Sequence, residues 1–119
     1  MSLLVNAYTR NAAGEMEFLD PGDQSRELAG VEEYRQTFYG GRAARSLGLR
    51  LFPTLAERDL YAEGQDLVAL ESEARVVLAN ISLFTDEAGA SSESLQVRIQ
   101  NILDAIERAA AAGGGVVIW

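Results

Sequence analysis

The sequence predicts an α+β fold, or a small α/β one, in which three main helices pack on a sheet of three or four strands. Short runs of β-forming residues lie at both ends of the chain, and its second half holds two long segments with helical periodicity. Of the 119 residues, 48% are hydrophobic, which is enough to form the core of one domain spanning residues 1–119.

Two strands are predicted near the N-terminus. The run Leu3–Thr9 is short and rich in β-forming residues. After the turn residues RNAAG, the stretch Glu15–Asp20 alternates, with Met16 and Phe18 on one side and glutamates on the other. Such alternation is typical of a strand with one buried and one solvated face. We expect the two strands to form a hairpin.

A helix is predicted from Ser25 to about Tyr39, after the turn DPGDQS. Asp23 or Ser25 can cap its start, and Gly40 ends it. Its apolar stripe consists of Leu28, Val31, Tyr34, Arg35 and Phe38.

The middle of the chain predicts shorter elements. GRAARSLG is interpreted as one or two helical turns closed by Gly48. The run Leu49–Phe52 is interpreted as a short strand that Pro53 stops. A loop is expected over residues 54–65, with Leu60–Ala62 extended.

Two long helices are predicted in the second half. Asp66 caps the first, which runs from about Leu67 to Phe84, and Ser92 caps the second, which runs to about Ala112. Their short polar connection makes them antiparallel neighbours. The first stripe is Leu67, Leu70, Ala74, Val77, Leu78, Ile81 and Phe84; the second is Leu95, Ile99, Ile102, Leu103, Ile106 and Ala110.

The chain ends in GGGVVIW. Glycine is favoured just past a helix end, and VVIW is apolar on both alternating faces. A strand covered on both faces need not alternate. We therefore predict that residues 116–119 form a central strand beside Leu3–Tyr8, with Trp119 buried.

The residue types that are missing exclude several chemistries. The chain has no Cys, His or Lys, and all ten basic residues are Arg. Disulfides, the usual structural zinc sites, a P-loop lysine and a Ser-His-Asp triad are therefore excluded. We expect no enzymatic activity, no cofactor and no metal site. The first residues lack the features of a signal peptide, and no apolar run has the length of a membrane span, so a cytoplasmic protein without membrane contact is expected.

The net charge of −8 bears on the class of partner. An acidic surface repels phosphate backbones, so nucleic-acid binding is not expected. The same charge attracts a basic protein, although it is also consistent with solubility alone.

One acidic segment predicts a partner-binding site. Glu57, Asp59, Glu63 and Asp66 surround Tyr61, which would act as an aromatic anchor in a loop. The alternative is a solvated loop followed by a helix N-terminus, where negative charge is favourable.

A basic segment predicts a second, anion-binding site. Residues 34–56 contain four arginines and no acid, and Arg42 and Arg45 lie in a glycine-rich stretch that opens a short helix. Helix N-termini and guanidinium groups bind anions. The alternative is that these arginines balance nearby glutamates.

From these observations we predict a small, acidic, non-enzymatic protein-binding module. In its most concrete form it is an immunity or antitoxin-like protein that neutralises a basic partner. The alternatives are a protein that binds a small anion, a carboxylate-based enzyme, and a structural protein that self-associates.

Overall fold

A computed structural model describes residues 2–119 of the chain. It confirms the α+β class, with five antiparallel strands in the described residues in place of the three or four expected. The elements are β1 (Ser2–Arg10), β2 (Met16–Phe18), β3 (Leu28–Val31), α1 (Arg42–Ser46), β4 (Leu60–Glu63), α2 (Gln65–Ala79), α3 (Thr85–Ala88), α4 (Ser92–Ala112) and β5 (Gly115–Ile118).

The C-terminal strand is central, as predicted. The strand order is β2-β1-β5-β4, and β3 pairs separately with the start of β1. Ala7 of β1 lies opposite Val116 of β5, which lies opposite Ala62 of β4. One further residue continues the pairing, because the amide of Trp119 donates to the carbonyl of Leu4 over 2.9 Å.

The sheet has two unlike faces, because side chains alternate along each strand. One face packs on α2 and α4 and supplies the core with Leu3, Val5, Ala7, Leu60, Ala62, Val116 and Ile118. We call the opposite one the outer face. It carries Asn6, Tyr8, Arg10, Phe18, Tyr61, Glu63, Val117 and Trp119.

Helix α4 agrees closely with its prediction. The hydroxyl of Ser91, one residue before the predicted cap, accepts a hydrogen bond from the amide of Ser94 over 3.1 Å. Gly113 ends the helix in the left-handed region, with φ of 71°. The predicted stripe is buried from Leu95 to Ile106, and Asn101 and Ala105 are buried with it. At its end Ala109 is buried instead of the predicted Ala110, which is exposed.

Helix α2 is shorter than predicted. It starts after Gly64, whose φ is 58°, and Asp66 lies in the first turn instead of the cap position. At Asn80 the side-chain amide donates to the carbonyl of Val76, and the chain continues as a 3-10 turn over Ile81–Phe84. The two long helices pack side by side. No helix of residues 2–119 combines the length and hydropathy needed to cross a bilayer.

The predicted helix from Ser25 to Tyr39 is wrong. The segment forms a 3-10 turn, then β3, then a π-helical turn at Arg35–Tyr39. Gly30 has φ of 120°, and a Cβ there would lie 2.2 Å from the Tyr34 ring. The chain therefore bends at Gly30, and the main chain of β3 bonds to β1 instead of forming helical hydrogen bonds. Two long helices result, not three.

The predicted strand at Leu49–Phe52 is also wrong. The carboxylate of Glu73 on α2 accepts hydrogen bonds from the amides of Arg50, Leu51 and Phe52, at 2.9 to 3.2 Å. These amides are therefore not available to a sheet. A 3-10 turn with proline in its first turn follows at Phe52–Ala56. The extended segment expected at Leu60–Ala62 is confirmed as β4.

Candidate functional site

The outer face bears three large aromatic side chains that remain open to solvent. Phe18 is 51% exposed, Tyr61 53% and Trp119 43%. They lie on β2, on β4 and directly after β5, so they span the width of the sheet. The rings of Phe18 and Trp119 meet edge to face with centroids 5.8 Å apart. Grouped exposed apolar side chains are a mark of interaction sites.

A polar network lies on the same face, where Tyr8 is opposite Phe18 and Glu63 follows Tyr61 by two residues along β4. The hydroxyl of Tyr8 donates to Oε2 of Glu63 over 2.5 Å. Arg10 donates to the same oxygen from Nε and Nη2, at 3.0 and 2.7 Å. The Arg10 guanidinium also lies over the Tyr8 ring, 5.5 Å from its centroid.

The network fixes the protonation states of its members. Hydrogen bonds from Arg10, and then from Tyr8, hold the pKa of the Glu63 carboxyl below its usual value. Burial, and then the bond to Glu63, raise the pKa of the Tyr8 hydroxyl well above its usual value. Glu63 is therefore a carboxylate and Tyr8 a neutral phenol at neutral pH.

The lowered pKa of Glu63 predicts a pH-dependent contribution to stability. In Glu63→Gln, we expect a reduced Tm at about pH 7, because the ion pair with Arg10 is lost. This contribution is present above the pKa that Glu63 has in the unfolded chain, and it is lost as the pH falls through the lower folded-state pKa. In thermal melts of both proteins, the Tm difference should therefore be largest near neutral pH and should shrink as the pH is lowered.

Glu71→Gln is the control for this experiment, because Glu71 forms an exposed pair with Arg75 on α2. Exposed pairs of this kind contribute little, so its Tm should stay near that of the wild type throughout. A Tm difference for Glu63→Gln that does not change with pH would contradict the assigned ionisation.

The expectation that Trp119 is buried is wrong for its side chain. The side chain lies on the outer face, opposite the face that packs on α2 and α4, and it is 43% exposed. A hydrogen bond holds the indole there. Its Nε1 donates to Oδ1 of Asn6 over 2.9 Å, and Nδ2 of Asn6 donates to Glu27 over 3.2 Å. The C-terminal ring is thus both exposed and held in place.

The residues of the acidic segment, which were predicted to form one partner-binding site, lie in three different environments. Glu63 joins the network on the outer face, and Asp59 accepts a hydrogen bond from Nη2 of Arg35 over 2.7 Å. Asp59, Tyr61 and Asp66 line one open depression beside β4. Glu57 lines a different depression. Tyr61, expected in the extended part of that segment, lies on β4.

Arg42 and Arg45 both lie on the short helix α1. The amide of Arg42 donates to Oε1 of Glu87 over 2.8 Å, so a carboxylate of this chain already lies at the start of α1. Nε of Arg45 donates to the carbonyl of Gly40 over 3.1 Å. Arg45 lines a shallow depression with Glu57, and Arg42 does not contribute to it. The anion site stays a prediction.

Several residues of the outer face were missed at the sequence level. Phe18 was assigned to a buried side because its strand alternates, yet that side is the outer face. The apolar residues on both sides of VVIW were the available signal, because they implied a second apolar face. Tyr8 and Arg10 carried no such signal, since their partner Glu63 lies more than fifty residues away.

Comparison of the chain with models of protein families, with curated proteins and with solved structures found no match.

Proposed function

We propose that this protein is a non-enzymatic, acidic protein-binding module that holds a basic partner against its outer face, as an immunity or antitoxin-like protein would. The observation that carries the proposal is that Phe18, Tyr61 and Trp119 are all exposed on the outer face, opposite the face that packs on α2 and α4. Tryptophan and tyrosine are the residue types enriched among side chains that dominate binding energy.

The surface is organised before any partner arrives. The Trp119 indole is bonded to Asn6 and packed on Phe18, and Arg10 and Glu63 hold each other beside Tyr8. Side chains that are already ordered lose little conformational entropy on binding, and this favours affinity. The net charge of −8 favours approach of a basic protein over another acidic one.

The alternatives have less support. A small-anion site would depend on Arg42 and Arg45 at the start of α1, where the main-chain amide of Arg42 already donates to Glu87 and Nε of Arg45 donates to the carbonyl of Gly40. Self-association would bring two chains of charge −8 together, which mutual repulsion disfavours. Light scattering of the isolated protein tests self-association directly.

We expect a basic protein to bind at equal stoichiometry and to lose at least about tenfold in affinity, roughly 1.4 kcal/mol, when Trp119→Ser or Phe18→Ser removes an anchor. The partner is first captured from a lysate of the source organism with an N-terminal tag, because a C-terminal tag would follow Trp119. Kd and the association rate are then measured with the purified pair at several salt concentrations.

Val97→Ser is the matched control, because Val97 is 55% exposed but lies on α4, away from the outer face. Its affinity should equal that of the wild type. Equal loss in Val97→Ser and Trp119→Ser would overturn the proposed surface. An association rate that does not fall with salt would overturn the assigned charge of the partner.

A further inference from the structure

We propose that the free edge of β4 takes an extended, basic segment of the partner as an additional strand of the sheet. This inference rests on the proposed function and adds the mode of recognition to it. Strand addition supplies main-chain hydrogen bonds, while pockets beside the edge select side chains.

The register shows which groups of β4 are free. Leu4 and Trp119 exchange both main-chain hydrogen bonds, at 2.8 and 2.9 Å. Along an antiparallel strand, the N–H and C=O groups of successive residues point alternately to the two neighbouring strands. Trp119 directs these groups to β1, so the preceding residue, Ile118, directs its own to β4, where it pairs with Leu60. The next residue of β4, Tyr61, therefore directs its amide and carbonyl away from the sheet. No strand of residues 2–119 pairs with this edge.

The edge borders a depression that gives room to an incoming chain. The lining includes Leu51 and Thr54 from the segment before β4, Tyr61 from the strand itself, and Asp66 from the first turn of α2. An added strand would place one side chain beside the exposed Tyr61 ring, with its neighbours on either side pointing to the opposite face. The edge is thus continuous with the outer face.

Charge decides between the possible occupants. Asp59 and Asp66 line the depression with Arg58. Asp59 is paired with Arg35 and Glu63 with Arg10, so among residues 2–119 Asp66 is the carboxylate at this edge that has no ion-pair partner, on a chain whose net charge is −8. A second copy of this chain would bring the same carboxylates to the edge, and short charged edges resist such self-pairing. A strand bearing arginine or lysine meets carboxylates instead, which favours a basic segment of another protein.

A synthetic peptide of about nine residues that alternates Arg and Val tests the edge without the natural partner. We expect it to slow hydrogen exchange of the Tyr61 amide at least about tenfold, because that amide gains an acceptor. A peptide with Glu in place of Arg, and one with Pro in place of Val, should leave the exchange unchanged, because they lack the charge and the main-chain donors respectively. An unchanged Tyr61 amide with the Arg-Val peptide would overturn the proposal.

Two substitutions at one position separate the main chain from the side chain. Tyr61→Pro removes the outward amide, at a position where proline is tolerated in an edge strand, whereas Tyr61→Val removes only the aromatic ring. We expect Tyr61→Pro to lose at least about tenfold more peptide affinity than Tyr61→Val. Equal affinities would overturn strand addition. If Tyr61→Pro does not fold by circular dichroism, the exchange measurement on the wild type decides.

The failure of this inference differs from the failure of the proposed function. If the peptide shifts the Trp119 indole signal but not the Tyr61 amide, the outer face binds and the edge does not. If the natural partner binds Trp119→Ser and Phe18→Ser as tightly as the wild type, the proposed function itself fails, whatever the peptide does.

Discussion

Replacing Gly114 with alanine is expected to lower the free energy of unfolding by about 3 kcal/mol. A Cβ on Gly114 would lie 1.8 Å from the carbonyl oxygen of Tyr8. The neighbour is main chain of the central strand β1, so it cannot rotate away as a side chain could. The amide of Gly114 also donates to the carbonyl of Ala109 over 2.8 Å, closing the end of α4. The clash would therefore disturb both the helix end and the strand pairing.

Gly113→Ala is the matched control, one residue away. A Cβ there meets open space, and only its φ of 71° opposes the substitution. The left-handed conformation costs a non-glycine residue about 1 to 2 kcal/mol. Urea unfolding of both variants measures the comparison. If the free energy of unfolding falls no more in Gly114→Ala than in Gly113→Ala, the main chain of β1 can shift to accommodate the added Cβ, and the prediction is wrong.

Glu73→Ala is expected to lower the free energy of unfolding by about 2 to 3 kcal/mol. The carboxylate of Glu73 accepts hydrogen bonds from the amides of Arg50, Leu51 and Phe52. These bonds hold the main chain at the start of the 3-10 turn in place. Truncation leaves those donors without their acceptor. Hydrogen bonds to charged groups are among the stronger ones in proteins. The loss should be accompanied by faster proteolysis within residues 47–52.

Glu73→Gln and Glu71→Ala complete this experiment. The glutamine keeps one acceptor oxygen without the charge, so its loss should be smaller than that of the alanine. Glu71 lies two residues away on α2 and bonds to the exposed Arg75, so Glu71→Ala should change stability by less than about 0.5 kcal/mol. If Glu73→Ala and Glu71→Ala lower the free energy of unfolding by similar amounts, the hydrogen bonds of Glu73 to residues 50–52 do not stabilise the fold as proposed.

Local patterns predicted the parts of this fold that depend on local forces. Helix α4 follows its apolar period from Leu95 to Ile106, and its start and end are set by Ser91 and Gly113. The strand β5 was recognised because it is apolar on both sides, which indicates cover on both faces. The alternation of Glu15–Asp20 likewise gave a strand, but not the side of the sheet on which Phe18 lies.

Local patterns failed where a distant group competes for the main chain. Residues 28–31 have a helical stripe, yet they pair with β1 because Gly30 lets the chain bend beneath Tyr34. The segment before Pro53 resembles a strand, yet its amides bond to Glu73. In both cases long-range contacts outweigh a weak local preference.

In the candidate site, too, some residues could be predicted from local patterns and others depend on long-range contacts. Tyr61 and Glu63 were singled out from the sequence because acids surround an aromatic residue, and both lie on the outer face. The sequence by itself determined the α+β class, the central C-terminal strand and the acidic surface without Cys, His or Lys, because these follow from composition and short periodicity. Only the tertiary structure decided that Trp119 meets Asn6 and that Tyr8 and Arg10 meet Glu63, because those partners are 113, 55 and 53 residues apart and come together only when β1, β4 and β5 join in one sheet.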